Sequence, residues 1–302
     1  MYITITFNPS LDYIVFVDGF ESGKLNRARE EHIIPGGKGL NVSMVLRSLG
    51  KKTKAFAFTG GITGDALKSM VKERGIDFVP IPAAFGETRI NVKLKSGAET
   101  EINGKGPDIS DEDLEKLMTL LEAELHEGDT LILSGSVPSS LPKTVYRDLA
   151  QLAGRKKARA VVDAEGDLLL SSLSAKPFLI KPNRDELEAI SGISHMTAED
   201  IKEHAKKLRM LGAENVLVSL EGDGALLAAS DGNVYSFPAP QGTVVNSVGA
   251  GDSMVAGFLS SLEDTGCFET ALKHAIAAGS AAAFAGRLAD RDLISAVQRN
   301  SN

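Results

Sequence analysis

At 302 residues the chain is long for one domain and short for three, and a hydrophobic content of 43% is ample for a core. Its 33 basic against 40 acidic residues leave a formal net charge of −7 with no lysine- or arginine-rich block, which argues against a nucleic-acid surface or a membrane patch. One cysteine, Cys267, rules out an intrachain disulfide framework, and no run approaches the roughly 18 apolar residues of a membrane span.

The N-terminus opens directly on a strand-like run, Tyr2-Ile3-Thr4-Ile5-Thr6-Phe7, with no basic leader before it, so a cytoplasmic location is expected. Asn8-Pro9-Ser10-Leu11-Asp12 follows. Pro9 stops the ladder and leaves Asp12 at a strand end, where its carboxylate suits either an Asx-turn or two adjacent hydroxyls of a polyhydroxyl ligand. Residues 12–17 and 27–34 are strand-like with no long helix between them, and Lys24 and Arg27 lie in or beside them.

Pro35-Gly36-Gly37-Lys38-Gly39-Leu40-Asn41 then feeds a helical pattern at about 40–49. The glycines let backbone approach a ligand, with Lys38 as a cation and Asn41 as an amide donor at its edge. It is not a Walker loop, because Gly39 follows the lysine where Ser or Thr is required. A strand is expected at 54–58 and a helix at about 65–74.

Residues 87–102 alternate as two strands around Lys95-Ser96-Gly97-Ala98, a hairpin. Arg89 near its start is a planar five-donor cation suited to a phosphate. With the earlier strand-like pieces this hairpin predicts a small antiparallel sheet serving as a lid or an oligomer surface. Its alternating Ile90, Val92 and Leu94 favour a dimer.

Strands at 130–133, 160–162, 178–180 and 216–219 then alternate with helices at about 111–126, 141–152, 184–191 and 198–211. That rhythm implies parallel strands joined by right-handed crossovers, with ligands at the carboxyl ends. Lys181-Pro182-Asn183-Arg184-Asp185-Glu186 follows one such strand; a capping box explains Asn183 and Glu186, as does an oxygen-rich place for hydrated Mg²⁺ and phosphate. Ser219-Leu220-Glu221-Gly222-Asp223-Gly224 reads as a hairpin or as a backbone cradle for nucleotide phosphates.

Val248-Gly249-Ala250-Gly251-Asp252-Ser253 leads into a helix at 252–264. The unpaired N–H groups of its first turn and the positive end of its dipole would hold a phosphate. Asp252 there either caps the helix or takes a proton from an attacking hydroxyl. A last helix spans 268–286, and its small residues from 275 to 285 signal close helix packing or a flat wall for a planar ligand.

Taken in order, N-P-S-L-D, G-G-K-G-L-N-V, S-G-S-V-P at 134–138, K-P-N-x-x-E, S-L-x-x-x-G and V-G-A-G-D-S resemble the ribokinase-like (PfkB-type) carbohydrate kinases over almost the whole chain. The closing G-A-G-D signature is specific to that group. The resemblance implies one ribokinase-like kinase domain over 1–302. Its α/β core has a mostly parallel central sheet flanked by helices on both faces, with a discontinuous β lid from about 12–34 and 87–104. It implies ATP and Mg²⁺, a sugar acceptor already phosphorylated (Lys38 favours this), and a homodimer through the lid.

By the same resemblance, Asp252 matches the catalytic base, and Gly249, Ala250 and Gly251 its anion hole. Asp12, Gly37, Lys38, Asn41 and Ser136 match substrate-binding positions. Lys24, Lys38 and Arg89 would hold the substrate phosphate, with Arg27 an alternative to Lys24. Asn183 and Glu186 match the magnesium-associated element, and Lys181, Asn183, Ser219, Gly222, Gly224 and the helix around Ala278 the ATP side. A sugar-phosphate sensor on the same scaffold is the rival from another class, to which an intact Asp252 is superfluous. A Rossmann oxidoreductase lacks its G-x-G-x-x-G turn, since residues 7–12 read Phe-Asn-Pro-Ser-Leu-Asp.

Overall fold

The computed structural model describes residues 1–300. Strand β1 (Tyr2–Thr6) is buried along its whole length, as a strand covered on both faces must be. Pro9 ends it, and the chain leaves the layer as β2 (Ser10–Phe16) and β3 (Glu30–Gly36). Helix α1 (Lys38–Ser48) brings it back to β4 (Thr53–Thr59), α2 (Gly61–Glu73) and β5 (Asp77–Pro82). A second excursion, β6 (Arg89–Ser96) and β7 (Ala98–Asn103), precedes α3 (Asp111–Glu124) and β8 (Thr130–Ser134).

Strand and helix then alternate through α4 (Val145–Arg155), β9 (Arg159–Asp163), α5 (Gly166–Ser172) and β10 (Leu179–Ile180). Helices α6 (Arg184–Ser191) and α7 (Ala198–Met210) lead to β11 (Asn215–Ser219). A hairpin of β12 (Ala225–Ala228) and β13 (Val234–Phe237) comes before α8 (Ala250–Thr265), α9 (Phe268–Ala285) and α10 (Arg291–Asn300).

The large sheet runs β13-β12-β11-β10-β9-β8-β1-β4-β5 and is parallel from β11 to β5, with β12 and β13 antiparallel at one edge. Its two faces feed separate cores. Ile3, Ile5, Phe58, Leu133 and Val162 pack with Leu117, Tyr146 and Leu149 on one side, where Phe7 stacks on Phe58 at 5.3 Å. Tyr2, Ile132, Val161 and Leu217 pack with Val42, Phe258 and Leu272 on the other. The layered α/β reading therefore holds, with helices on both faces.

The small sheet has the order β3-β2-β6-β7. The sequence predicted it as antiparallel, but β2 and β6 pair parallel, Ser10 opposite Arg89 and Asp12 opposite Asn91. A parallel pair needs a long crossover, and residues 37–88, running through the large sheet, supply it. The register puts Asp12, Ile34 and Asn91 on one face and Tyr13, Ile33, Val92 and Ile102 on the other.

Three boundaries, and three whole elements, differ from expectation. The helix predicted from 65 begins at Gly61, because its glycines look like loop residues. The one predicted from 141 begins at Val145, after Pro142. Strand β3 starts at Glu30 rather than 27, which leaves Arg27 in the preceding loop, and β5, β13 and α10 were not anticipated.

Candidate active site

Parallel strands β1, β8, β9, β10 and β11 all end at one edge of the sheet, and the residues just past their ends face one another. Helix α8 opens over that edge. Its N-cap, Gly249, has φ +80°, a left-handed conformation that accounts for glycine there, and no side chain of its own caps the helix. The Ala250 N–H donates to the Ser247 carbonyl at 3.1 Å, and the next N–H groups of the first turn have neither an intrahelical acceptor nor a side-chain cap.

Asp252, in that first turn, is buried at 5% exposure. Its Oδ2 accepts from Asn41 Nδ2 at 2.8 Å, which ties the start of α8 to the start of α1. Burial, helped by the negative charge of Asp163, pushes its carboxyl up to about 6, while Lys38 and Asn41 pull the other way. A carboxyl poised there is ionised at neutral pH yet basic enough to take a hydroxyl proton.

Asp163, at the end of β9, is 1% exposed and holds two ammonium groups: Lys181 Nζ at 3.1 Å and Lys38 Nζ at 3.7 Å. Burial pushes this carboxyl up, but the two lysines outweigh it and hold it below the usual range. Asp163 in turn raises Lys38 above its ordinary value, with Asp252 and Glu186 adding to the effect. Lys181 lies against the first turn of α8, so that a Cβ at Gly251 would come within 3.4 Å of its Nζ.

Lys38 also walls a cavity of about 200 Å³ with Arg89, Asn8, Ser134, Ser136 and Glu165. Arg89 is half-buried and donates through Nε to the Asn8 carbonyl at 3.2 Å. Burial lowers its guanidinium while the charge of Asp12 raises it. Ser134 Oγ is buried with no hydrogen-bond partner. Asp12 accepts from Ser10 Oγ at 2.7 Å and Asn91 Nδ2 at 3.0 Å, both on Oδ1, which leaves Oδ2 free to accept from a ligand. Gly37, φ +120°, caps α1 beside Thr6 and Pro9. A larger hollow, about 460 Å³, opens at the other end of the lid around Phe16, Lys95 and Val245 and contains none of these residues.

Asn183 and Glu186 form the expected capping box: Asn183 Oδ1 accepts from the Glu186 N–H at 2.7 Å, and Glu186 Oε2 from the Asn183 N–H at 2.9 Å. Burial raises the Glu186 carboxyl, against the pull of the Asn183 N–H. Ser219 sits at the end of β11, its N–H on the Pro182 carbonyl at 3.1 Å, and Gly222 is exposed in the following turn. That turn is the hairpin reading of the segment. Gly224 has φ +96°, and a Cβ there would meet the Phe237 carbonyl at 2.1 Å.

Three candidates stand apart from this group. Ala278 is fully buried, and its Cβ fills the space over Gly257 of α8, so it serves helix packing and reaches no surface a nucleotide could touch. Lys24 is exposed and paired with Glu21, and Arg27 is exposed in the same loop; neither walls the cavity. The sequence reading in turn passed over Asp163, although a carboxylate at the end of a predicted parallel strand is the signal that singled out Asp12.

Residues 6–289 match the family described as pfkB family carbohydrate kinase. The chain is 44% identical to 1-phosphofructokinase of Bacillus subtilis over 294 residues, covering 97% of this chain and 96% of that one. It is 37% identical over 294 residues to D-tagatose-1-phosphate kinase of Bacillus licheniformis, covering 96% and 95%. Phosphofructokinase-2 from Escherichia coli, solved in complex with substrates and products, superposes with a TM-score of 0.92 at 27% identity over 99% of both chains. The chain belongs to the pfkB family of carbohydrate kinases.

Proposed function

For this member of the pfkB carbohydrate kinases, we propose transfer of the γ-phosphoryl group of ATP to the C6 hydroxyl of fructose 1-phosphate, giving fructose 1,6-bisphosphate. One observation carries the reading. The buried Asp252 carboxyl stands at an uncapped helix N-terminus, linked through Lys38, Asp163 and Lys181 to a cavity walled by cations. The resemblance to 1-phosphofructokinases along the full chain chooses the acceptor.

Such a transfer needs little covalent work from the protein; positioning and charge neutralisation carry it. Arg89 and Lys38 hold the acceptor's existing phosphate, and Asp12 accepts from its ring hydroxyls. Asn41 fixes the Asp252 carboxylate, which takes the proton as the hydroxyl oxygen bonds to the γ-phosphorus and the bond to the ADP oxygen breaks. The N–H groups at the start of α8, with Lys181, take up the charge on the phosphoryl oxygens. Ser219, Gly222 and Gly224 lie on the nucleotide side, and lid closure excludes water.

Among the described residues no group of three or more His, Cys, Asp or Glu forms a metal cage. Mg²⁺ keeps most of its waters and binds through one or two carboxylates and substrate phosphates, a role open to the Glu186 carboxylate. The capping box engages Oε2 of Glu186, so its Oε1 would hold the ion beside Asn183. Bound there, it would neutralise the transferring phosphates.

The outer face of the lid carries Ile33, Ile90 and Ile102, 46–63% exposed, beside Tyr13, Val92 and Leu94, and we read it as the face through which two copies pair. No described helix is long and apolar enough to cross a membrane. We read the protein as cytoplasmic, a reading its lone cysteine supports.

A substrate panel under steady-state kinetics tests the acceptor. Fructose 1-phosphate should give the highest kcat/KM against tagatose 1-phosphate, tagatose 6-phosphate and fructose 6-phosphate. A preference for a 6-phosphate overturns the choice, and sugar binding without ATP turnover would make the chain a sensor.

A further inference from the structure

The segment that delivers Arg89 to the cavity is held by the N-terminus of α2. That helix has no side-chain cap of its own, and residues 86–88 lie across its opening turn. The Thr88 N–H donates to the Gly60 carbonyl at 2.9 Å, and Gly60 N–H to Thr88 Oγ1 at 3.1 Å. Glu87 Oε2 accepts from the Thr63 N–H at 3.2 Å and the Thr63 hydroxyl at 2.9 Å, and that hydroxyl also reaches the Thr88 carbonyl at 2.7 Å. The helix is thus capped by a carboxylate from another part of the chain. The Thr59-Gly60-Gly61-Ile62-Thr63-Gly64 run is shaped for it: a Cβ at Gly60 would lie 2.3 Å from the Gly86 carbonyl, and one at Gly61 would overlap the Glu87 carboxylate.

We propose that Glu87 and Thr63 are positioning residues for Arg89, setting how far its guanidinium reaches into the cavity and hence the affinity for the acceptor's phosphate. Arg89 directly follows the clamped Thr88, and Asn91, two residues on, orients Asp12 at 3.0 Å. Glu87 is exposed and Thr63 half-buried, whereas α2 is anchored by the buried Leu67 and Val71. Exposed polar contacts of this kind add little to overall stability. Their consequence lies in the aim of the side chain they precede. Because the C1 phosphate of fructose 1-phosphate lies at the opposite end of the sugar from the C6 hydroxyl, loosening Arg89 removes binding common to ground and transition states and raises KM more than it lowers kcat.

The inference rests on Arg89 holding the phosphate of fructose 1-phosphate, and a double-mutant cycle tests it. Thr63→Val should raise KM for fructose 1-phosphate about fivefold, the worth of one hydrogen bond, leaving kcat and KM for ATP within about twofold. Thr63→Ser should restore it, and Asp65→Asn on the same helix should change nothing. In an Arg89→Ala background, Thr63→Val should add no further loss. An equal loss in that background, or an unchanged KM in the single variant, overturns the proposal. Should the wild type prefer another ketose phosphate, the acceptor assignment fails, and the same cycle on that sugar still decides for or against the clamp.

Discussion

Two helix N-termini face the same edge of the large sheet and are built in opposite ways. Helix α6 closes itself with the reciprocal Asn183–Glu186 box, and the same device recurs at Ser110–Asp113 of α3 and Thr197–Asp200 of α7. Helix α8 begins at Gly249-Ala250-Gly251 with no cap, and the carboxylate in its first turn bonds sideways to Asn41 instead of back to its own backbone. A capped N-terminus has spent its donors on stability, whereas an uncapped one keeps them for an anion that comes and goes. Other helices, α1 and α2 among them, also lack a side-chain cap of their own; what sets α8 apart is the buried Asp252 carboxylate in its first turn, tied to Asn41 beside the open donors.

The sharpest way to break the contrast is Asp252→Asn. It should lower kcat by on the order of 10³ while ATP still binds, as expected when a positioned base is lost; near-normal turnover would remove Asp252 from the chemistry. The same variant should be more stable than the wild type. A carboxyl raised from 3.8 to about 6 on folding contributes stability below pH ~4 that is lost as pH rises through 6, so at pH 7.5 the ionised Asp252 is a liability of roughly 1–3 kcal/mol. Thermal melts at pH 7.5 and 4 should show the gain at the higher pH and its loss at the lower.

Next comes Asp163→Ala, which strands two ammonium groups beside α8. Stability should fall by about 3 kcal/mol, as when one partner of a buried ion pair is removed, with kcat falling with it; denaturant melts and steady-state rates report both. A milder probe is pH. The kcat/KM profile should bend downward near pH 6 and fall about tenfold per unit below it, and the bend should be absent from the residual rate of Asp252→Asn. The smallest effect belongs to the other kind of terminus. Thr197→Ala, which removes the exposed capping box of α7, should cost about 1 kcal/mol in a denaturant melt and leave kcat unchanged.

Much of this was legible in the sequence because its signals are local. Gly249 to Asp252, Gly37 to Asn41 and Asn183 to Glu186 each combine a turn, a cap and a polar group within six residues, and the strand and helix periods that bracket them fix their place at one sheet edge. Asp163 was missed because its importance comes from Lys38 and Lys181, distant in sequence, and Glu87 because its partner Thr63 belongs to a different element. Ala278 went the other way. A stripe of small residues serves packing or a ligand equally well until a neighbour such as Gly257 is seen beneath it. The lid's direction was misread because a hairpin at 87–102 says how its own two strands pair, and nothing about which strand from earlier in the chain lies beside them.

That parallel pairing has a consequence for how the molecule forms. Asp12 meets Asn91 across 79 residues of chain, so the β2–β6 contact cannot come together by local zippering. The crossover between them runs through α1 and β4, which pack on β1, and through α2 and β5 beyond β4. Although Asp12 stands near the start of the sequence, its carboxylate is oriented only once residues as distant as Asn91 are in place.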